Sequence, residues 1–175
     1  MFAGLRQIWS WVYPIVIGVA VALVIRQWVM TINLVPTGSM EPNIPAPCRV
    51  FVNKLAIEFG QPYRGEVVTF RWPDDPSEIF VKRIIGMPGD TVTVTNNAVY
   101  VNGKPYNVPD VVQPNRVGLG TYHVPAGHYF MMGDNRPVSD DSRLWTNKYV
   151  ARSAIIGEAV AVVFPFDKIR AIPQS

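Results

Sequence analysis

Residues 79–85 have the sequence Ile-Phe-Val-Lys-Arg-Ile-Ile, in which two adjacent cations are enclosed by apolar residues. Because alternate side chains of a β-strand point to opposite faces, Lys82 would share a face with Phe80 and Ile84, and Arg83 would occupy the other face. One of the two cations must therefore lie among apolar neighbours. Desolvation can lower the pKa of a buried lysine by ~3 to 5 units and make it a usable base, although a lysine of this kind more often extends to solvent from a strand edge.

The same strand pattern recurs on both sides of this segment. The predicted strands cover residues 28–35, 50–54, 66–72, 91–95, 98–101 and 155–164. The pairs Asn96-Asn97 and Asn102-Gly103 suit the tight turns of antiparallel hairpins. With 16 prolines and 13 glycines, the chain has little room for long helices outside its apolar N-terminus. We therefore predict a mainly β fold of antiparallel strands, interrupted by an irregular excursion at 105–126.

The N-terminal region predicts a membrane anchor. Residues 8–25 carry no charge and follow Arg6. As a helix, these ~18 residues would span ~27 Å, close to the ~30 Å hydrocarbon core of a bilayer. A cleaved secretory signal is the competing interpretation, but no Ala-x-Ala-like site follows the apolar run. We predict a short N-terminal segment at 1–7, a transmembrane anchor at 8–26 and a β-domain at 27–175.

Charge and cysteine content exclude several classes of function. The 16 basic and 13 acidic residues give a net charge of +3, and the basic residues are scattered, so no nucleic-acid partner is indicated. Cys48 is the single cysteine, and no Cys/His cluster has the spacing of a zinc site. The acidic residues of 131–143 do not follow the order of an EF-hand loop. We expect neither a metal nor an intrachain disulfide.

Two more segments could carry chemistry. Ser39 lies in a loop bounded by Pro36 and Pro42, where a serine usually serves as a local hydrogen-bonding residue. Residues 131–143 have the composition of a tight polar loop in which Asp141 and Arg143 could pair. Taken singly, neither segment identifies a function.

The order and spacing of the motifs are more specific than any one of them. The motifs are Ser-Met-Glu-Pro at 39–42, Gly-Glu-Val-Val at 65–68, Lys-Arg-Ile-Ile-Gly-Met-Pro-Gly-Asp at 82–90, Gly-Asp-Asn-Arg at 133–136 and Ser-Asp-Asp-Ser-Arg at 139–143. With the apolar N-terminus, they strongly resemble the bacterial type I signal peptidase family, the membrane-bound serine proteases that remove signal peptides from exported proteins. The resemblance covers nearly the whole chain and implies an antiparallel β-sheet or partly open barrel as the catalytic domain.

The resemblance also implies the catalytic roles. Ser39 would be the nucleophile and Lys82 the general base, a Ser-Lys dyad that needs no metal or organic cofactor. The backbone N–H of Ser39 would donate to the oxyanion, together with the hydroxyl of Thr37, where many members have serine. The hydroxyl of Ser139 would orient the lysine, and Asp141 with Arg143 would brace the loop.

The family binds its substrate as an added extended strand between the segment before Ser39 and the strand that carries Lys82. The pocket walls would include Ile32, Leu34, Val35, Phe80 and Val81. The implied activity is a serine endopeptidase that cleaves N-terminal signal peptides from exported preproteins after small residues, at Ala-x-Ala-like sites. Its partners would be signal peptides and membrane lipid.

The resemblance sets the expected topology as well. The enzyme would be a single-pass protein of the cell membrane, with residues 1–7 in the cytoplasm and the catalytic domain on the extracytoplasmic side. The accessory β-domain of larger relatives would be reduced to a small cap at about 91–127.

Three other interpretations remain open at this stage. An anchored, non-catalytic β-domain could bind exported chains, but it would be expected to have lost Ser39 or Lys82. A self-cleaving repressor also uses Ser and Lys, but it would need a DNA-binding domain in place of the anchor. A triad of Ser39, His128 and Asp134 is the third possibility.

Overall fold

The computed structural model describes the backbone of residues 2–174 and the side chains of residues 11–174. The outermost residues of the predicted N-terminal segment and β-domain, Met1 and Ser175, lie outside the described residues. The predicted fold class is confirmed, because the chain is mainly antiparallel β-sheet with one N-terminal apolar helix. The sheets are open and do not close into a barrel.

The N-terminal helix is the longest helix that the structure describes. Helix α1 covers Phe2–Val24 and continues into a π-helical turn at Ile25–Val29. The stretch Trp11–Val29 has a mean hydropathy of 1.9, is long enough to cross a membrane, and is not buried against the rest of the chain. A helix that is apolar all round and unburied fits a single-pass membrane anchor. The short helix α2 covers Leu55–Phe59.

Twelve strands follow α1 in the described chain. They are β1 (Met30–Val35), β2 (Cys48–Asn53), β3 (Val67–Arg71), β4 (Ile79–Gly86), β5 (Thr91–Val94), β6 (Val99–Val101), β7 (Lys104–Pro105), β8 (Gly120–His123), β9 (His128–Met132), β10 (Val150–Ala151), β11 (Ile155–Phe164) and β12 (Arg170–Ala171). Three 3-10 turns lie at Gly38–Met40, Arg152–Ala154 and Phe166–Lys168.

The larger sheet has the order β1-β2-β11-β3-β4-β9-β10, with β12 paired to β11. The smaller sheet has the order β7-β6-β5-β8 and comes from residues 91–123. Two features of the larger sheet position the site. Within residues 2–174, strand β1 pairs only with β2, and β4 pairs with β9 only from Arg83 onward, which leaves one edge of residues 79–82 without a strand neighbour. Both edges offer backbone groups to a further strand.

Both cations of β4 are buried. Lys82 is 4% exposed and Arg83 is 0% exposed, because apolar clusters cover the larger sheet on both faces. One cluster packs around Val50 and Val52 of β2, and another around Phe70 of β3. The polar ends of Lys82 and Arg83 must therefore find partners inside the protein.

Several elements depart from the sequence-based expectations. Strand β11 has the predicted bounds, but β1 starts two residues late because the π-helical turn extends to Val29. The predicted irregular excursion contains β8, which pairs along β5 from Thr91 to Val94. Helix α2 and strands β7, β9, β10 and β12 were not anticipated.

Candidate active site

Ser39 and Lys82 come together from different parts of the chain. Ser39 is the middle residue of the 3-10 turn that follows β1, and Lys82 lies on β4. The Nζ of Lys82 donates a hydrogen bond to the Oγ of Ser39 at 2.6 Å, and both residues are buried. A serine hydroxyl in direct contact with a buried amine places a nucleophile beside a possible general base, which is one arrangement that supports nucleophilic catalysis.

Burial controls the protonation of Lys82. Desolvation lowers the pKa of Lys82 from its ordinary value to about 8, while the charges of Asp141, Asp140 and Asp134 oppose this shift and Arg143 assists it. At pH 7 a group with a pKa of about 8 is neutral in roughly one molecule in eleven, against roughly four in ten thousand for an ordinary lysine. Lys82 is therefore available as a base near neutral pH.

An aromatic stack forms the apolar wall beside Lys82. The Nζ of Lys82 lies 5.4 Å from the centroid of the Phe80 ring. Phe80 stacks on Trp72 at 5.1 Å and meets Trp145 edge-on at 5.8 Å. Because Phe80 is held from two sides, water has little access to the amine from this direction.

The residues predicted to support the lysine form one buried network. The Oγ of Ser139 donates to Asp141 at 2.7 Å, and Asp141 pairs with Arg143 through its Nε at 2.8 Å and Nη2 at 2.9 Å. The backbone N–H of Gly133 donates to the same carboxylate at 3.0 Å. The Ser139 hydroxyl therefore donates to Asp141, and in the described chain the hydrogen-bond partner of the Lys82 amine is Ser39.

Gly133 lets this network approach the nucleophile. A Cβ at position 133 would collide with Oγ and Cβ of Ser139 and with the carbonyl oxygen of Ser39. Only glycine allows the backbone after β9 to lie so close to both residues. The Gly-Asp-Asn-Arg motif thus has a steric reason for its first residue.

Asn135 was not singled out by the sequence and contacts the nucleophile turn directly. Its Nδ2 donates to the Gly38 carbonyl at 3.1 Å, and its backbone N–H donates to the Ser39 carbonyl at 3.0 Å. The Gly38 carbonyl and the Ser39 N–H belong to one trans peptide unit and point in opposite directions. By holding the carbonyl, Asn135 fixes the direction of the Ser39 N–H. Thr37 is exposed, and its side chain does not cap the turn.

Arg83 was predicted only to face away from Lys82, and it joins the same loop from the other side of β4. Its guanidinium makes a bidentate contact with Asp134, at 2.9 Å and 2.7 Å, and donates to the Gly65 carbonyl at 2.6 Å. Asn43 also donates to Asp134, at 2.9 Å. This buried pair joins β4 to the loop that carries Asn135.

A groove of about 400 Å³ opens at Ser39 and Lys82. Its walls come from residues 33–38 at the end of β1, from residues 79–82 of β4, and from the loop after β9. The predicted wall residues that line it are Leu34, Val35, Phe80 and Val81, and Thr37 lies beside them. Ile32 is exposed on β1 and is not among the lining residues. Val138 and the carboxylate of Asp140 were not anticipated as wall residues.

The histidine triad is not brought together. The Nδ1 of His128 lies 2.9 Å from the Ala126 carbonyl, and His128 lines a depression that Ser39 does not share. Asp134 is occupied by Arg83 and Asn43. Among the described residues, no group of three or more His, Cys, Asp or Glu could hold a metal ion.

Comparison with known proteins gives consistent matches. The family described as signal peptidase, peptidase S26, matches residues 8–164. Signal peptidase I of Bacillus amyloliquefaciens is 38% identical over 173 residues, covering 93% of this chain and 88% of that protein. Signal peptidase I T of Bacillus subtilis (strain 168) is 37% identical over 172 residues, covering 92% and 88%. A signal peptidase I crystal structure from Enterococcus faecalis V583 is 29% identical, with a TM-score of 0.46, and covers 56% of this chain and 96% of that one.

Proposed function

Because this chain belongs to the signal peptidase family, peptidase S26, we propose that it is anchored in a membrane and cleaves N-terminal signal peptides from exported preproteins after small residues. It is a serine endopeptidase, a hydrolase of the signal peptidase I type. The observation that carries the proposed mechanism is the 2.6 Å contact between Lys82 and Ser39 in a buried position at the end of an open groove.

Acylation uses Ser39 as nucleophile and Lys82 as base. Neutral Lys82 takes the hydroxyl proton of Ser39 while the Oγ forms a bond to the scissile carbonyl carbon. The oxyanion of the tetrahedral intermediate accepts hydrogen bonds from the Ser39 N–H and the Thr37 hydroxyl. When the C–N bond breaks, Lys82 gives its proton to the leaving amine, and the signal peptide remains as an ester on Ser39.

Deacylation repeats the steps with water. Lys82 is neutral again after the amine leaves, so it can take a proton from a water that attacks the ester carbonyl. When the second intermediate collapses, Ser39 leaves as the hydroxyl by recovering the proton from Lys82. Ser139, Asp141 and Arg143 hold the surrounding loop in place throughout.

The two unpaired edges support binding of an extended substrate. A peptide that enters the groove between β1 and residues 79–82 can satisfy backbone hydrogen-bonding groups on both sides. Its alternate side chains would meet Leu34 and Val35 on one wall and Phe80 and Val81 on the other. The closeness of these walls to Ser39 favours small residues next to the scissile bond.

The anchor supports action at a membrane surface. Strand β1 begins directly after the stretch Trp11–Val29 and is six residues long, so Ser39 lies within roughly 36 Å of the end of the apolar stretch along the chain. We place the catalytic domain on the extracytoplasmic side, in contact with lipid, where exported preproteins present their cleavage sites. A protease-protection assay that finds residues 133–143 on the cytoplasmic side would overturn this orientation.

The direct test is incubation of the detergent-solubilised full chain with a preprotein that carries an Ala-x-Ala site. We expect one cut after the last Ala, identified by mass spectrometry, and no cut with Ser39→Ala. Binding of the preprotein without cleavage by the unaltered chain would instead support a non-catalytic binding domain.

A further inference from the structure

The loop behind Ser39 contains an unbalanced buried charge. Two buried arginines in contact with this loop have carboxylate partners: Arg83 of β4 pairs with Asp134 at 2.7 Å, and Arg143 of the loop pairs with Asp141 at 2.8 Å. A third arginine, Arg136, is only 2% exposed and makes no ion pair with any described residue. These five side chains therefore carry one positive charge in excess, and it resides on the arginine that no carboxylate touches.

The guanidinium of Arg136 is only partly used by the protein. Its Nε donates to the Gly133 carbonyl at 2.9 Å, and no hydrogen bond joins Nη1 or Nη2 to the described part of the chain. Neither nitrogen is among the fully buried unpaired nitrogens of that part, so both reach the solvent of a pocket that Arg136 lines. Burial lowers the pKa of Arg136 to about 10, so the group is still charged at neutral pH. Because the oxygens of Asp134 and Asp141 hold the other two arginines, they are not free to turn toward Arg136.

Because Arg136 is only 2% exposed, water solvates its charge only in part, and buried cations in proteins are normally paired or hydrogen-bonded. Two terminal nitrogens of a guanidinium form a planar fork that matches two oxygens of one carboxylate or phosphate group. The group that would accept hydrogen bonds from both terminal nitrogens of Arg136 is therefore an oxyanion that does not belong to the chain.

A cavity gives such a group access. A pocket of about 170 Å³ lies between the smaller sheet and the loop that follows β9, and Arg136 lines it. Three side chains with amide groups, Asn97, Asn107 and Gln113, also line the pocket and are exposed. Among the described residues no Asp or Glu lines it, and Arg136 is the one charged residue of its lining. The backbone N–H of Arg136 donates to Val112, which ties the pocket to the loop.

We propose that this pocket is a binding site for a small oxyanion, a carboxylate or phosphate group, held by the Arg136 guanidinium. The site is separate from the groove at Ser39, and the proposal does not depend on the proposed function. It is connected to the nucleophile turn, because the neighbouring Asn135 holds the carbonyls of Gly38 and Ser39. Occupancy should stabilise the folded protein, since a ligand that binds only the folded state raises its stability.

The test is calorimetric titration of the detergent-solubilised full chain with sodium phosphate and, in a second arm, with sodium acetate. Sodium chloride at matched ionic strength is the reference. We expect saturable binding of one phosphate or acetate per chain and a thermal midpoint that rises with ligand concentration. Binding of phosphate without acetate would assign the site to phosphate groups, and the reverse result would assign it to carboxylates.

Variants separate the pocket from general charge effects. Gln113→Glu adds a carboxylate to the pocket wall from an exposed position, so it should fold normally and weaken ligand binding at least tenfold. Gln61→Glu makes the same charge change at an exposed residue outside the pocket and should bind as the unaltered chain does. Arg136→Gln should abolish binding, and the Gln113 variant gives the decisive result if Arg136→Gln fails to fold.

Three results would overturn the proposal. The first is the absence of saturable heat and of any thermal shift beyond that of chloride. The second is equal affinity of Gln113→Glu and the unaltered chain. The third is equal weakening in Gln113→Glu and Gln61→Glu, which would indicate general ionic screening and not a site.

Discussion

Removing the carboxylate of Asp140 should make the enzyme faster at neutral pH. Asp140 is exposed, lines the groove, and is one of the charges that keep the pKa of Lys82 from falling further than about 8. An exposed charge pair is worth ~0.2 to 1 kcal/mol, and one pKa unit is about 1.36 kcal/mol. Asp140→Asn should therefore lower the pKa of Lys82 by ~0.15 to 0.7 units, which raises the neutral fraction at pH 7 by a factor of ~1.4 to 4.

The assay is the pH dependence of kcat/KM for a fluorogenic signal-peptide substrate between pH 5 and 10. For the unaltered chain, kcat/KM should increase with pH along an acidic limb with a midpoint at about pH 8, since only neutral Lys82 acts as a base. Asp140→Asn should move that limb to lower pH, while from pH 9 upward the ratio of its kcat/KM to that of the unaltered chain should stay constant. The displacement of the limb should be smaller in ~1 M salt. Asp167→Asn, the same change at an exposed residue away from the groove, should leave the limb in place.

An acidic limb that stays fixed or moves to higher pH in Asp140→Asn would contradict the assigned effect of Asp140 on the pKa of Lys82. The same displacement in Asp167→Asn would contradict it too, because the shift would then report net charge and not the neighbourhood of Lys82. A limb that disappears in His128→Ala would assign the titration to that histidine and restore the triad.

Four further predictions, made with six substitutions, test the site. Ser39→Ala and Lys82→Ala should each remove nearly all cleavage in the preprotein assay, whereas His128→Ala should retain it within about threefold. Lys82→Met should raise the free energy of unfolding near pH 7 by up to roughly 3 kcal/mol, because the lysine binds a proton more tightly in the unfolded chain than in the folded one. This gain in the free energy of unfolding should shrink between pH 8 and 10.5, as the unfolded lysine loses that proton, and urea denaturation measures it. Ser139→Ala removes a buried hydrogen bond to the loop carboxylate and should lower kcat more than it raises KM, in steady-state kinetics. Asn135→Asp replaces the amide that donates to the Gly38 carbonyl by a charged acceptor and so disturbs the direction of the Ser39 N–H. We expect kcat to fall about 100-fold with little change in KM, whereas equal losses in substrate binding and turnover would contradict that role.

The sequence was most informative where a local pattern and a motif coincide. Strand β11 was predicted with its observed bounds, because residues 155–164 are mostly apolar, rich in β-branched side chains and followed by Pro165. The contact of Ser39 with Lys82 could be anticipated from the resemblance. The apolar neighbours on β4 required one of its two cations to be buried, but taken alone they favoured a Lys82 that extends to solvent. The value of its pKa could not, since it depends on which carboxylates the loop after β9 brings close.

The remaining features depend on pairing between distant segments. Strand β8 is weakly apolar and becomes a strand because β5 offers it a partner. Arg83 gave no sign in the sequence of its partner Asp134, which lies 51 residues away and meets it only because β9 pairs with β4. In the sequence Asn135 is indistinguishable from an ordinary turn residue, because its contact with the Gly38 carbonyl joins positions 97 residues apart. Ser139 was expected to orient the lysine, and its donated hydrogen bond goes to Asp141.

Strand β1 has a consequence for which bonds can be cut. It runs from the apolar helix to the nucleophile turn and is paired along its whole length with β2, from Met30 opposite Asn53 to Val35 opposite Cys48. A paired strand is stiff, so the distance between Ser39 and the membrane surface is fixed and does not fluctuate as it would at the end of a flexible linker. On the proposed topology, Ala-x-Ala sequences in mature proteins would escape hydrolysis because they are not held at the distance from the membrane at which Ser39 lies. Substrate selectivity would then depend on the position of the scissile bond relative to the bilayer as much as on the side chains beside it.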